Sequence, residues 1–109
     1  MIAWEDFEKV DMHCGTVLEV KPFPKAHKAA WQLTIDFGPL GIKQSSAQIT
    51  DLYQPKDLIG KQVIAVVNFP PKQIANFFSE CLVLGLSKEN EGIVLIQPEQ
   101  KVENGERVC

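Results

Sequence analysis

The chain has 109 residues, 45% of them apolar and 23% charged, with a formal net charge of −3 at pH 7. That is one domain, with enough residues to bury a core unaided by metal or disulfide. No run approaches the about 20 apolar residues of a helical membrane span, and the net negative charge argues mildly against nucleic acid.

Three cysteines, Cys14, Cys81 and Cys109, make an odd set without a CxxC pair. A disulfide framework or a zinc site is therefore not expected, and Cys14 and Cys81 read as small core residues. The opening Met1–Asp6 carries an acidic pair and no basic segment ahead of an apolar one. It does not read as a signal peptide, so the expected location is the cytoplasm. Charge is unevenly spread. Residues 1–20 hold one lysine against five acids, residues 21–72 seven lysines against three, and residues 73–109 three basic residues against six acids. A basic middle between acidic ends is one way to mark a face for an anionic ligand.

Trp4–Val10 reads as a short amphipathic helix, with Trp4 and Phe7 on one stripe and Glu5, Asp6 and Glu8 in the first turns, where carboxylates suit the helix dipole. A helix this short is not stable alone, so its aromatics need a surface on the same domain or on a partner chain. Asp11–Val20 alternates as a first strand, and Gly15 in its middle predicts a bulge or sharp bend. Lys21–Lys28 is a loop carrying two prolines, three lysines and Phe23. Ala30–Phe37 is a second strand with Trp31, Leu33, Ile35 and Phe37 on one face, and Gly38–Gly41 turns it into a third strand, Ile42–Ser46. Asp51–Leu58 predicts a turn of helix before a break at Gly60. Lys61–Asn68 is a strand too apolar to have a wet face. Phe69–Ser79 reads as an extended loop, Cys81–Leu86 as another buried strand, and Gly92–Ile96 as a further short one. Gln97–Cys109 is a polar tail whose only aliphatics are Val102 and Val108. The succession is that of an all-β, five-stranded OB-type barrel, residues 1–109 as one domain, with a short N-terminal helix and a helical insert between strands three and four.

Catalytic chemistry finds little support. His13 and Cys14 are neighbours on a strand and point to opposite faces, Ser45-Ser46 has no base nearby in sequence, and no P-loop, GxGxxG or HExxH occurs. The reading is a non-enzyme without cofactor or metal. Binding fits better. In an OB barrel the ligand lies across strands two and three, bordered by two loops. On these assignments the loops carry Lys21, Lys25, Lys28 and Lys72, and strand three adds Lys43. Phe23 and Phe69 stand on the same rims, as bases would require for stacking. A second binding surface is apolar: Trp4, Phe7, Phe69, Phe77 and Phe78 exceed what so small a core needs. Two chains meeting through the helix and the tail would bury some of them and leave grooves for apolar peptide segments. A module that docks one stable protein partner is the third reading.

Five features together resemble the tRNA-binding domain appended to methionyl-tRNA synthetases and also found as small dimeric proteins. They are Ser45-Ser46, the segment from Tyr53 through Pro55 to Leu58-Ile59-Gly60-Lys61, the strand end Val66–Phe69, Pro71-Lys72 and Ser79-Glu80. The runs DFEKVDMHCGTV, IDFG, GIKQSSAQIT and KQVIAVVNFPP are similar to the export-related bacterial chaperones of that family. The resemblance spans essentially the whole chain. It implies an OB-fold homodimer whose RNA-binding surface maps onto Lys43, Ser45, Ser46, Asn68, Lys72, Ser79 and Glu80. In the chaperone branch it implies a groove for unfolded or preprotein segments near the dimer interface. One departure discriminates. Cys81 stands where tRNA-binding members tend to have glycine, and the loop Gln73–Phe78 is neutral and aromatic rather than basic. That shifts the expected ligand from tRNA toward polypeptide, bound without ATP.

Overall fold

The computed structural model describes residues 1–109. The elements are α1 (Trp4–Glu8), β1 (Met12–Pro22), β2 (Trp31–Asp36), β3 (Ile42–Ala47), α2 (Pro55–Leu58), β4 (Gln62–Val66), β5 (Lys72–Ile74), β6 (Phe77–Ser79), β7 (Leu82–Val83), β8 (Gly85–Lys88) and β9 (Gly92–Leu95). Five strands form one antiparallel sheet in the order β3-β2-β1-β4-β7. β1 is its spine: Met12–Thr16 pairs with β4, and Thr16–Pro22 pairs with β2. Curling brings the outer edge of β3 to the segment just before β7, where the Glu80 amide donates to the Gln44 carbonyl at 2.8 Å. The expected OB-type barrel is thus nearly closed, with α2 between β3 and β4.

The alternation along β2 sets the core. Leu33, Ile35 and Phe37 are fully buried, together with Val17, Leu58, Val63 and Ala65. Each such large apolar side chain contributes roughly 1.5–3 kcal/mol of burial. Leu58 enters from α2, whose start is held by the Asp57 carboxylate accepting the Gln54 amide at 2.9 Å and whose end is set by Gly60 at φ +85°.

Gly15 is not itself the irregularity. The register slips between Val17 and Glu19, leaving Leu18 as the extra residue, and a bulge of this kind re-aims its side chain. Leu18 accordingly points out and is exposed. Gly15 is there for close packing: a Cβ at that position would stand 2.7 Å from Ile35 Cγ2 and from the Phe37 ring.

Three more stretches differ from the sequence reading. The extended loop Phe69–Ser79 contains a hairpin, β5 against β6, turning at Ala75 with φ 54°. No glycine marks that turn. The apolar run Cys81–Leu86 is split into β7 and the start of β8; Cys81 is buried, but Leu82 and Leu86 are exposed. Its apolar length suggested two covered faces, whereas one face looks outward. Finally, the polar tail docks. The Cys14 amide donates to the Glu106 carbonyl at 2.9 Å, the Gly105 amide to Cys14 at 2.8 Å, and the Val108 amide to Met12 at 2.9 Å. Residues 105–108 therefore cover the half of β1 that β2 leaves unpaired.

Candidate functional site

Ser45, Ser46, Ser79 and Glu80 come together along the seam that closes the barrel. The Ser46 amide donates to Ser79 Oγ at 3.0 Å, and the Gln44 amide donates to Glu80 Oε1 at 2.9 Å. Ser45 is 0% exposed, and its hydroxyl donates to the Cys81 carbonyl at 3.0 Å. An unpaired strand edge exposes orphan amides; here side chains of the facing segment satisfy them. Ser45 thus lies behind the face rather than on it, a correction to its expected place among ligand contacts. Burial pushes the Cys81 thiol up to about 11, with the Glu80 charge acting in the same direction and the Ser45 hydrogen bond and Lys43 opposing. Burial also raises Cys14. Both thiols are protonated at neutral pH, so neither is a ready nucleophile.

Lys43 stands on β3 beside this seam, half-buried. Lys72 faces Ser79 across the β5–β6 hairpin. Neither lysine has a carboxylate within ion-pair distance, whereas Lys21 is matched by Glu19 at 3.1 Å. Asn68 is committed elsewhere. Its Oδ1 accepts the Asp11 amide at 3.0 Å and its Nδ2 donates to the Lys9 carbonyl at 2.8 Å, tying the α1–β1 junction to the segment that leaves β4.

The aromatics divide sharply. Phe23 and Phe77 are buried against each other, ring centroids 5.3 Å apart and edge to face, in a satellite core with Ala30. Phe23 is therefore no stacking rim, and Phe77 is no part of an apolar surface; together they bind the Lys25–Lys28 loop to the β5–β6 hairpin. Strand alternation turns Phe78 the other way, 53% exposed, and Phe69 is equally exposed. On α1, Trp4 and Phe7 sit 5.4 Å apart, outside the core, with Trp4 66% exposed.

A second feature escaped the sequence reading. An open groove of about 1050 Å³ runs between β1, β4 and the tail, with Cys14, Leu18, Ile64, Val102 and Val108 as its apolar lining. Its floor depends on the bulge at Leu18 and on a docked tail. The only available signal was the pair Val102 and Val108 in an otherwise polar segment. Across the whole chain no helix is long and apolar enough to cross a membrane.

Comparison with known proteins places this geometry. The family model described as "Putative tRNA binding domain" matches residues 12–107. The methionine–tRNA ligase of Porphyromonas gingivalis is 37% identical over 107 residues, which are 98% of this chain and 15% of that enzyme. The chain thus spans about 15% of the length of that relative. Among solved structures, chaperone CsaA from Bacillus anthracis superposes with a TM-score of 0.94 at 51% identity, covering 100% of this chain and 99% of that one. The CsaA chaperone protein from Picrophilus torridus matches with a TM-score of 0.94 at 49% identity over the full length of both chains.

Proposed function

The chain belongs to the tRNA-binding domain family, and from that premise we propose that it acts as a CsaA-like chaperone. In this reading it is a cytoplasmic homodimer that binds exposed segments of unfolded or precursor polypeptides, catalyses nothing, and works without ATP. The observation that carries the reading is the fate of the site residues. The hydroxyls and carboxylate of Ser45, Ser79 and Glu80 are engaged in closing the barrel, while the hairpin beside them, uncharged from Gln73 to Phe78, presents Phe78 and, just before it, Phe69 to solvent. Such a face offers apolar contact to an extended chain. The near-50% identity to two CsaA chaperones over the whole chain supports the same choice, and the lack of a nucleotide motif supports the absence of ATP.

The homodimer rests on α1. Met1, Ile2 and Trp4 are strongly exposed, and a second copy is the partner of matching chemistry. Light scattering at micromolar concentration should give twice the chain mass, and Trp4→Glu should shift it toward one. Function is tested by aggregation of a denatured client and by titration of preprotein peptides; failure in both overturns the reading.

A tRNA-binding role is the second reading. Lys43 and Lys72, with Lys25 and Lys28 on the adjoining loop, supply cations near one seam. The only arginine, Arg107, is engaged by Asp11 at 2.9 Å, which removes the one bidentate phosphate donor. Binding of tRNA that weakens steeply with salt, and is lost in Lys43→Glu with Lys72→Glu, would favour this role.

A further inference from the structure

The turn that leads into the docked tail pairs two residues with a reaction of their own. Of the four asparagines in the chain, only Asn104 is followed by glycine. An asparagine side chain offers its amide carbon, Cγ, to the next backbone nitrogen, and a glycine there has no Cβ to shield that nitrogen. The Gly105 nitrogen gives its proton to solvent, attacks Cγ and closes a five-membered succinimide. The Cγ–Nδ2 bond breaks, and Nδ2 takes up a proton and leaves as ammonia. Water then opens either carbonyl of the ring, giving aspartate or isoaspartate at position 104. Nothing is oxidised or reduced, and water is the only co-reactant.

Tertiary contacts fix both residues of this pair. The Glu106 amide donates to the Glu103 carbonyl at 3.2 Å, so Asn104 and Gly105 form the centre of a tight turn. Gly105 has φ +96°, a conformation that strains other residues, and a Cβ there would stand 2.7 Å from the Phe37 carbonyl oxygen. The Asn104 Oδ1 accepts from Thr16 Oγ1 at 2.7 Å and from Gln62 Nε2 at 3.2 Å. These donors hold the side chain against β1 and β4 and draw electron density from Cγ, which favours attack. The nucleophile is what the fold withholds. The Gly105 amide donates to the Cys14 carbonyl at 2.8 Å, a bond that retains its proton and sets its direction.

We propose that Asn104 is a site of deamidation gated by the docking of the tail on β1. While the bond from Gly105 to Cys14 holds, the nitrogen is blocked. Each local opening of the tail frees it beside a polarised amide carbon. Such opening is of the low-energy kind, because Glu106, Arg107 and Cys109 are all exposed and little apolar surface resists it. The isoaspartate product routes the chain through its side chain and adds one carbon to the backbone. The spacing that sets Gly105, Glu106 and Val108 against Cys14 and Met12 is then lost, as in a slipped register. Release is permanent, and Val108 leaves the groove that it lines beside Leu18 and Ile64.

The test ages the full chain and a synthetic peptide of residues 99–109 side by side at mildly alkaline pH. Isoaspartate at 104 is read by mass spectrometry of digested samples, and hydrogen exchange of the Gly105 amide is followed in the same chains. The peptide should convert at least about tenfold faster than the folded chain, the factor for breaking one or two hydrogen bonds. Arg107→Gln loses the bonds to Asp11 and to the Glu8 carbonyl. It should speed conversion and Gly105 exchange by a shared factor of about five, the scale of one net hydrogen bond. The isoaspartyl fraction, separated by ion exchange, should lose protection at the Cys14 and Val108 amides while β2–β3 amides hold. Asn104→Gln, whose longer side chain does not close a five-membered ring, should keep that protection through the same ageing. Equal rates in chain and peptide, no conversion in either folded chain, conversion that does not track Gly105 exchange, or an isoaspartyl fraction with its tail still docked each overturn the proposal. Should Arg107→Gln fail to fold, the rates of chain and peptide and the state of the isoaspartyl fraction decide.

Discussion

Replacing Ser45 by alanine separates a seam residue from a ligand contact. The hydroxyl is fully buried and donates to the Cys81 carbonyl at 3.0 Å. Its loss removes one net hydrogen bond, about 1 kcal/mol. It also leaves that carbonyl with only the longer bond from Ser79 Oγ at 3.4 Å, and a poorly satisfied buried acceptor costs roughly 1–3 kcal/mol. The void is a single oxygen in size, so a cavity contribution is small. Ser45→Ala should therefore destabilise the fold by about 1–3 kcal/mol, lowering Tm by roughly 4 °C or more. Urea unfolding gives the free energy directly, and the slope m should stay constant because the exposed surface is unchanged. Titration of tRNA and of a preprotein peptide at a temperature where the variant is folded should give wild-type affinities. Stability within about 0.5 kcal/mol of wild type combined with lost binding would instead put Ser45 on the ligand.

Other substitutions probe other parts of the argument. Gly15→Ala drives a methyl to 2.7 Å from Ile35 and Phe37; the overpacking should cost about 1–3 kcal/mol in thermal or urea unfolding, and a neutral outcome would mean that the β1 backbone yields easily. Phe78→Ser should leave stability within about 0.5 kcal/mol, because the ring is exposed, yet weaken suppression of client aggregation. Unchanged suppression would remove Phe78 from the binding face. The Cys81 thiol, held up to about 11 against an ordinary 9.0, makes stability depend on alkaline pH. The unfolded thiol ionises first, so its contribution is intact below pH 9 and is lost as pH climbs toward 11. Across that window wild type should lose on the order of 2 kcal/mol more than Cys81→Ala, measured by urea unfolding at successive pH values; parallel curves would contradict the burial.

How much of this was legible in the chain depends on the range of the interaction that carries each feature. Leu33, Ile35 and Phe37 alternate with polar residues, the Gly38–Gly41 turn follows directly, and Gly60 breaks α2. Such signals are local, so the strands, the insert and the barrel order could be read from the sequence alone. The longer runs carried the family as well. The amino acids alone also set the ingredients of the site: several lysines, one arginine, and more aromatics than the core takes.

Tertiary structure decided which of those ingredients face a ligand. Phe77 and Phe78 are adjacent and chemically identical, yet only the first meets Phe23 in the satellite core. Ser45 and Ser46 are equally polar in sequence, but the position of Cys81, 36 residues away, claims the first. The tail docks chiefly through backbone hydrogen bonds, which leave almost no trace in side-chain composition. Periodicity tells which residues share a face; only the long-range pairing of faces tells which one is covered, and that pairing turned a candidate row of ligand contacts into the seam that shuts the barrel.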